Sequence, residues 1–313
     1  MPIDVRSRWL PVLATLALPG VVHAARLPVG VTERTFTKTS TTTGAPRVLA
    51  TTIWYPAVRG TGTAGPLGLR DATVRRGRWP LVVFSHGACG MPTATSYLMK
   101  ALAADGFIAA APPHPGHTDA DGNAVCRTNR IDTYLNRVPD LQFVVDAMLA
   151  LDADRASPFA RRVRRDDFGL MGVSFGGFTA LLGGQREPRL GAVLAMVPGG
   201  VEALDPGDLR VPTMVIGSEL DGTTGFPASL EAYARLAGPR YLVKLLGGGH
   251  LSVVDDCFPL CGTLGREEGH RLVVRYALPF FRRWLKDDRA ASRALRKAVD
   301  GVELMADARR GRS

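Results

Sequence analysis

The sequence predicts an α/β fold, a mostly parallel sheet with helices packed on both faces. Three observations predict it. Short, mostly apolar runs recur at residues 81–84, 107–111, 167–173, 192–197 and 213–216, the pattern of strands buried on both sides. Helix-length segments stand between them, as over residues 138–153, where Leu141, Val144, Val145, Met148 and Leu149 repeat at helical spacing. Strands alternating with helices lie parallel through crossover connections. Third, Gly172-Val173-Ser174-Phe175-Gly176 stands where one apolar run turns into a helical segment.

The chain has 313 residues and opens on a segment that does not belong to this fold. Arg6 and Arg8 precede an apolar stretch over residues 9–22, which ends in Val22-His23-Ala24. Basic, then apolar, then small residues predict a signal peptide over residues 1–24, cleaved after Ala24. Pro11, Pro19 and Gly20 break the apolar stretch, which is too short for a transmembrane helix. An exported, soluble mature protein (periplasmic or secreted) is expected.

Two strands over residues 34–40 and 48–55 form a hairpin across the turn-rich segment 39–44. Residues 60–78, rich in glycine and arginine, read as an exposed loop. A strand at 81–84, a helix over 95–105 and a strand at 107–111 follow. After the helix over 138–153 come the strand at 167–173 and a helix over 175–182. Strands at 192–197 and 213–216, a helix over 229–237 and a strand at 241–246 continue the alternation. Residues 266–286 form a long amphipathic helix, and 290–309 a more polar one. No repeat or composition break splits the chain, so one domain over residues 25–285 is expected, with a basic helical tail over 286–313.

The net charge is +10, concentrated at Arg161, Arg162, Arg164 and Arg165 and in the tail. These clusters give at most weak attraction to anionic surfaces. Neither is interleaved with the aromatics of a nucleic-acid site. Export allows disulfides. Cys257 and Cys261 enclose three residues, which predicts a local bridge and leaves Cys89 with Cys126; free thiols are the alternative. The sequence does not set the oligomeric state.

Ser174 is the candidate nucleophile. Its flanking glycines permit a tight strand-to-helix turn that lifts the hydroxyl out of the backbone, while a helix-capping serine is the simpler reading. A serine nucleophile needs a base and a carboxylate to orient that base. Asp221 follows the strand at 213–216, and His250 follows the next strand after Gly247-Gly248-Gly249. Carboxyl ends of parallel strands are where functional groups collect. Glu219 is the rival to Asp221, but it sits nearer the strand end. The three glycines predict an accessible, mobile imidazole at His250. An oxyanion would take its N–H donors from Phe175 and from Ala88. His86, Gly87, Cys89 and His114 are expected to border the substrate. His114, His117 and Asp119 form a loop with turn residues between them, which reads as a cleft border and not as a metal site.

Ile53-Trp54-Tyr55-Pro56, Phe84-Ser85-His86-Gly87, His114-Pro115-Gly116, Arg137 with Asp140, Gly172-Val173-Ser174-Phe175-Gly176-Gly177 and the late Gly249-His250 pair occur in that order. Together they resemble the α/β-hydrolase superfamily, in the branch of plasma-type platelet-activating factor acetylhydrolase and predicted dienelactone hydrolases. The resemblance spans residues 34–285. It implies an eight-stranded sheet, a Ser174-Asp221-His250 triad, and hydrolysis of short acyl esters with no metal or cofactor. The chain departs from that group at Pro113 and Cys89, and its serine differs from the cysteine of dienelactone hydrolases proper. The expected substrate is a small-molecule or lipid ester. No room for a lid domain exists between residues 197 and 211, so an open cleft suited to short acyl chains or bulky exposed esters is expected. A peptidase or amidase on the same scaffold and a non-enzymatic binding protein are the alternatives. An amine-anchoring acidic site or extra domain would mark the first, and loss of a triad member the second.

Overall fold

The computed structural model describes residues 26–128, 130–166, 168–205 and 207–307, so the segment 1–24, expected to be a signal peptide, lies outside the described residues. The chain runs through β1 (Val29–Thr39), β2 (Pro46–Pro56), β3 (Thr63–Gly65), β4 (Gly68–Arg70), β5 (Leu81–Ser85), α1 (Ser96–Ala104) and β6 (Ile108–Ala111). Helices α2 (Asn123–Thr128) and α3 (Arg130–Ala153) lead to β7 (Phe168–Val173), α4 (Phe175–Arg186) and β8 (Leu190–Met196). Then follow β9 (Thr213–Ser218), α5 (Phe226–Ala234), β10 (Arg240–Leu245), α6 (Arg266–Leu285), α7 (Ala291–Ala294) and β11 (Val302–Asp307).

All strands belong to one sheet in the order β11-β10-β9-β8-β7-β5-β6-β2-β1-β4-β3. The strands from β10 to β6 in that order are parallel, and antiparallel partners close both sides, β11 on β10 and β2 on β6. Alternation along β5 explains the two layers. Val82 and Phe84 point to the side of α1 and α6, with Leu102, Phe280 and Phe281, while Leu81 and Val83 point to the side of α3, with Leu141 and Val145. These side chains are buried, each worth about 2 kcal/mol on transfer from water.

The sheet has eleven strands among the described residues, against the eight expected. The loop at 60–78 contributes β3 and β4, and the tail contributes β11. The polar helix expected over residues 290–309 is therefore corrected to the four residues of α7 followed by a strand. Gly301 turns the chain with φ 82°, and Val302 to Asp307 pairs in register with β10. Without it, β10 would present an open row of amides and carbonyls. Helix α3 starts earlier than expected and continues through Pro139. A proline nitrogen cannot donate to the carbonyl four residues back. That carbonyl, on Leu135, accepts the Thr41 hydroxyl at 3.2 Å instead.

Among the described residues, no helix is long and apolar enough to cross a membrane. Both expected disulfides are present, Cys89–Cys126 and Cys257–Cys261.

Candidate active site

The parallel strands β5, β6, β7, β9 and β10 deliver their following loops to one edge of the sheet, and the candidate residues lie on those loops and at the start of α4. Ser174 occupies the turn between β7 and α4 with φ 55° and ψ −120°. A side chain in the left-handed region is strained by about 1–2 kcal/mol. Its own backbone offsets this, since the Ser174 N–H donates to the Met196 carbonyl at 2.8 Å and its carbonyl accepts the Phe178 N–H at 3.1 Å. Glycine is required on either side. A Cβ on Gly172 would collide with the Gly176 carbonyl, and one on Gly176 with the carbonyls of Ser85 and His86. These two glycines thus let α4 press against β7 and β5 at this point. Val197 and Cys89, on neighbouring loops of the same edge, also have positive φ, 42° and 50°, and strained backbone of this kind collects at functional sites.

His250 Nδ1 and Asp221 Oδ2 are hydrogen-bonded at 2.9 Å. The Asp221 carboxylate also accepts N–H groups from Thr223 at 2.8 Å and Thr224 at 3.0 Å, and the Thr224 hydroxyl at 2.8 Å. Burial alone would raise its pKa. The hydrogen bond and charge of His250, with the two backbone amides, outweigh that and hold the carboxyl well below the usual carboxylate range. Glu219 is placed elsewhere. It accepts the Gly247 N–H at 2.9 Å and pairs with Lys244 at 3.2 Å, tying two surface loops together.

The expectation of a mobile, accessible His250 is corrected. The residue is only 5% exposed, and the Gly249 N–H donates to the Cys261 carbonyl at 3.0 Å and to Ser252 Oγ at 2.9 Å. A Cβ on Gly249 would overlap the Leu260 carbonyl, so glycine serves close packing here and not looseness. The backbone on both sides of His250 is held by the loop of the small disulfide, and the ring by Asp221.

The Ser174 hydroxyl makes no hydrogen bond to His250 among the described residues. In unliganded sites this bond is often long and tightens only when substrate arrives. Gly87 lies beside the serine, since a Cβ there would stand 3.6 Å from Ser174 Cβ. Ala88 is exposed at the same edge, and Phe175 opens α4, a position whose amide lies outside the intrahelical ladder.

His86 and His114 are not cleft-lining residues, contrary to expectation. Both are fully buried. His86 Nε2 accepts the His114 N–H at 3.1 Å and Nδ1 bonds the Gly87 carbonyl at 2.8 Å. His114 bonds Ser85 Oγ at 2.9 Å and Asp140 Oδ2 at 2.9 Å. Burial first, then the charge of Arg137, pushes both imidazoles well below the ordinary histidine range. Cys89 is engaged in its disulfide. Arg47, absent from the sequence reading, chelates Asp140 at 2.9 Å and donates to the Pro115 carbonyl at 3.0 Å. Burial pushes the Asp140 carboxyl up against the pull of Arg47 and Lys38. A lone arginine near the start of a strand carries no local signal of such a partner.

Residues 61–307 match the model of a family described as PET hydrolase-like. The chain belongs to the PET hydrolase-like family. Among solved structures it is similar to a ferulic acid esterase from Streptomyces cinnamoneus, with a TM-score of 0.73 and 21% identity, over 90% of this chain and 97% of that one. At that identity the likeness concerns the fold, which is the α/β-hydrolase fold. No curated protein matches the chain. As a PET hydrolase-like protein the chain is a serine hydrolase of carboxylic esters, in agreement with the superfamily the motifs resemble.

Proposed function

We propose that the protein hydrolyses carboxylic esters through an acyl-enzyme on Ser174. The single observation that carries this reading is the buried His250–Asp221 hydrogen bond of 2.9 Å at the edge where Ser174 is held at φ 55°. His250 takes the Ser174 proton through Nε2 as Oγ attacks the ester carbonyl carbon. Asp221 remains ionised, keeps the Nδ1–H tautomer and stabilises the imidazolium. The N–H groups of Ala88 and Phe175 receive the oxyanion. The imidazolium then protonates the leaving alcohol. Water, deprotonated by the same ring, releases the acid and restores Ser174.

The substrate class we propose is an ester of a short or aromatic acid with an exposed carbonyl, including polyester chain ends. Two supports are available. Among the described residues, the connection from β8 to β9 holds a single helical turn at Val201–Ala203 and no lid. The family description names a polyester of an aromatic diacid, and the similar solved structure is an esterase of an aromatic acid. Export after cleavage near Ala24 is part of the proposal, supported by two disulfides with no free cysteine among the described residues. The basic cluster, with Arg78, Arg155, Arg161, Arg164 and Arg165 around a cavity of about 500 Å³, precedes β5 and β7. It therefore lies at the opposite edge, and weak attraction to anionic surfaces would leave the ester site facing outward.

The test is turnover of p-nitrophenyl acetate, methyl ferulate and bis(2-hydroxyethyl) terephthalate beside matching amides. Wild type should cleave the esters and be labelled by a fluorophosphonate. Ser174→Ala should lose both properties; wild-type turnover in that variant would overturn the assignment.

A further inference from the structure

Arg137 is among the largest fully buried side chains of the protein, yet ester hydrolysis as written above gives it no step. Its guanidinium touches both segments that carry the oxyanion donors. Nη1 donates to the His86 carbonyl at 2.6 Å and to Ser85 Oγ at 3.3 Å. Nη2 donates to the Gly87 carbonyl at 3.1 Å and to His117 Nδ1 at 2.7 Å. The same group lies 4.8 Å from the centre of the Phe175 ring, and His117 meets that ring edge-on at 5.3 Å.

Peptide planarity gives the contact with Gly87 its consequence. The Gly87 carbonyl and the Ala88 N–H belong to one trans peptide, so they point in opposite directions. Fixing the oxygen toward the interior fixes the N–H toward the open edge. Three donors hold that oxygen: Arg137 Nη2 at 3.1 Å, His86 Nδ1 at 2.8 Å and the Gly90 N–H at 3.3 Å. His86 carries its proton on Nδ1 because Nε2 accepts the His114 N–H, an assignment that follows from the hydrogen-bond network. Its lowered pKa keeps this ring neutral.

The electrostatics also need explaining. Burying a guanidinium is costly unless a charge or many acceptors compensate it. Among the described residues, the hydrogen bonds of Arg137 run to carbonyls, a hydroxyl and an imidazole, and not to a carboxylate. Asp140, the nearby acid, is bonded to Arg47, Lys38 and His114. An apolar side chain could fill the same volume without that cost, but it could not orient two successive peptides. Burial pushes the guanidinium down to about 9, against the pull of Asp140.

We infer that, given ester hydrolysis on Ser174 as proposed above, Arg137 is a positioning residue for the oxyanion hole. Through the Gly87 carbonyl and the Phe175 ring it fixes the Ala88 and Phe175 amides relative to each other.

Arg137→Lys and Arg137→Met test this. Lysine keeps the charge but is a point donor, unable to hold two carbonyls and His117 in one plane; it decides the matter if the methionine variant does not fold. Folded fraction is set by thermal denaturation and by the p-nitrophenol burst. An ester is then compared with its thiono analogue, whose sulfur is a larger and poorer acceptor and gains little from fixed N–H donors. In folded variants kcat should fall about ten- to a hundredfold with KM changed less than about threefold. The oxygen-to-thiono rate ratio should fall by a similar factor. A folded lysine variant with the wild-type ratio, or with loss of stability alone, would overturn the inference. Ser174→Ala run in parallel separates the two readings. If it retains turnover, the nucleophile assignment fails; if it is dead while the Arg137 variants keep the ratio, only the positioning role fails.

Discussion

Asp221 Oδ2 stands 2.9 Å from His250 Nδ1, and Asp221 Oδ1 accepts two backbone amides from the turn that follows it. The carboxylate is thereby fixed from one side by its own loop and from the other by the imidazole. A group held this way fits the proposed orientation of the base and also adds stability that depends on pH.

Asp221→Asn should lower kcat by about a thousandfold or more, because an amide cannot hold the Nδ1–H tautomer or balance the imidazolium. The sign of the pH effect follows from the depressed pKa. The folded value lies below the unfolded value of about 3.9, so the stabilisation is fully present above that pH and disappears as pH falls through the folded value. The difference in Tm between wild type and Asp221→Asn should stay constant from pH 8 to about pH 5 and narrow below about pH 4. A gap that narrows between pH 8 and 6 would contradict it.

Gly176→Ala should destabilise the protein by about 3 kcal/mol or more, since the added methyl meets two backbone carbonyls that cannot rotate away. Urea denaturation of the purified variant measures this. Gly222→Ala, where a Cβ meets nothing within 4 Å, serves as the control and should lie within about 1 kcal/mol of wild type.

Cys89 and Cys126 are separated by 37 residues, Cys257 and Cys261 by 4. Loop-closure entropy then assigns about 4 kcal/mol to the first bridge and about 2 kcal/mol to the second. Replacing both members of each pair by serine should reproduce that order in denaturant midpoints. The first replacement should also reduce kcat, because Cys89 follows Ala88 directly and anchors the loop proposed to hold the oxyanion.

Phe258 is 84% exposed and Leu260 46% exposed, on the disulfide loop whose Leu260 and Cys261 carbonyls hold the His250 segment. A cavity of about 540 Å³ lies alongside, lined by Phe258, Leu264 and Arg266. Met91, on the loop after β5, and Leu220, next to Asp221, are also exposed. Phe258→Ala should raise KM about fivefold for bulky aromatic or insoluble esters, through lost apolar contact, and leave p-nitrophenyl acetate turnover unchanged. Equal effects on both substrates would refute a contact role.

Much of the site was legible because its cues are local. The apolar run into Gly172-Val173-Ser174 marks a strand end, and successive strand ends bring Asp221 and His250 to the same edge. Cysteine spacing gave the disulfide pairs. The burial of His250 was not legible, because three glycines read equally as freedom or as close packing, and only the Leu260 and Cys261 carbonyls against them settle which.

Sequence by itself pointed to eight of the eleven strands, their order along the chain and the three residues of the proposed triad, since periodicity and turn chemistry act between near neighbours. Tertiary structure decided what long-range pairing controls. Residues 302–307 became a strand because β10 offered an unpaired edge, although their composition reads as a polar tail. Arg137, Arg47 and His114 became interior residues because carbonyls and a carboxylate from distant segments converge on them. A charged side chain is buried only where such partners meet, and nothing in its own neighbourhood of the chain records that meeting.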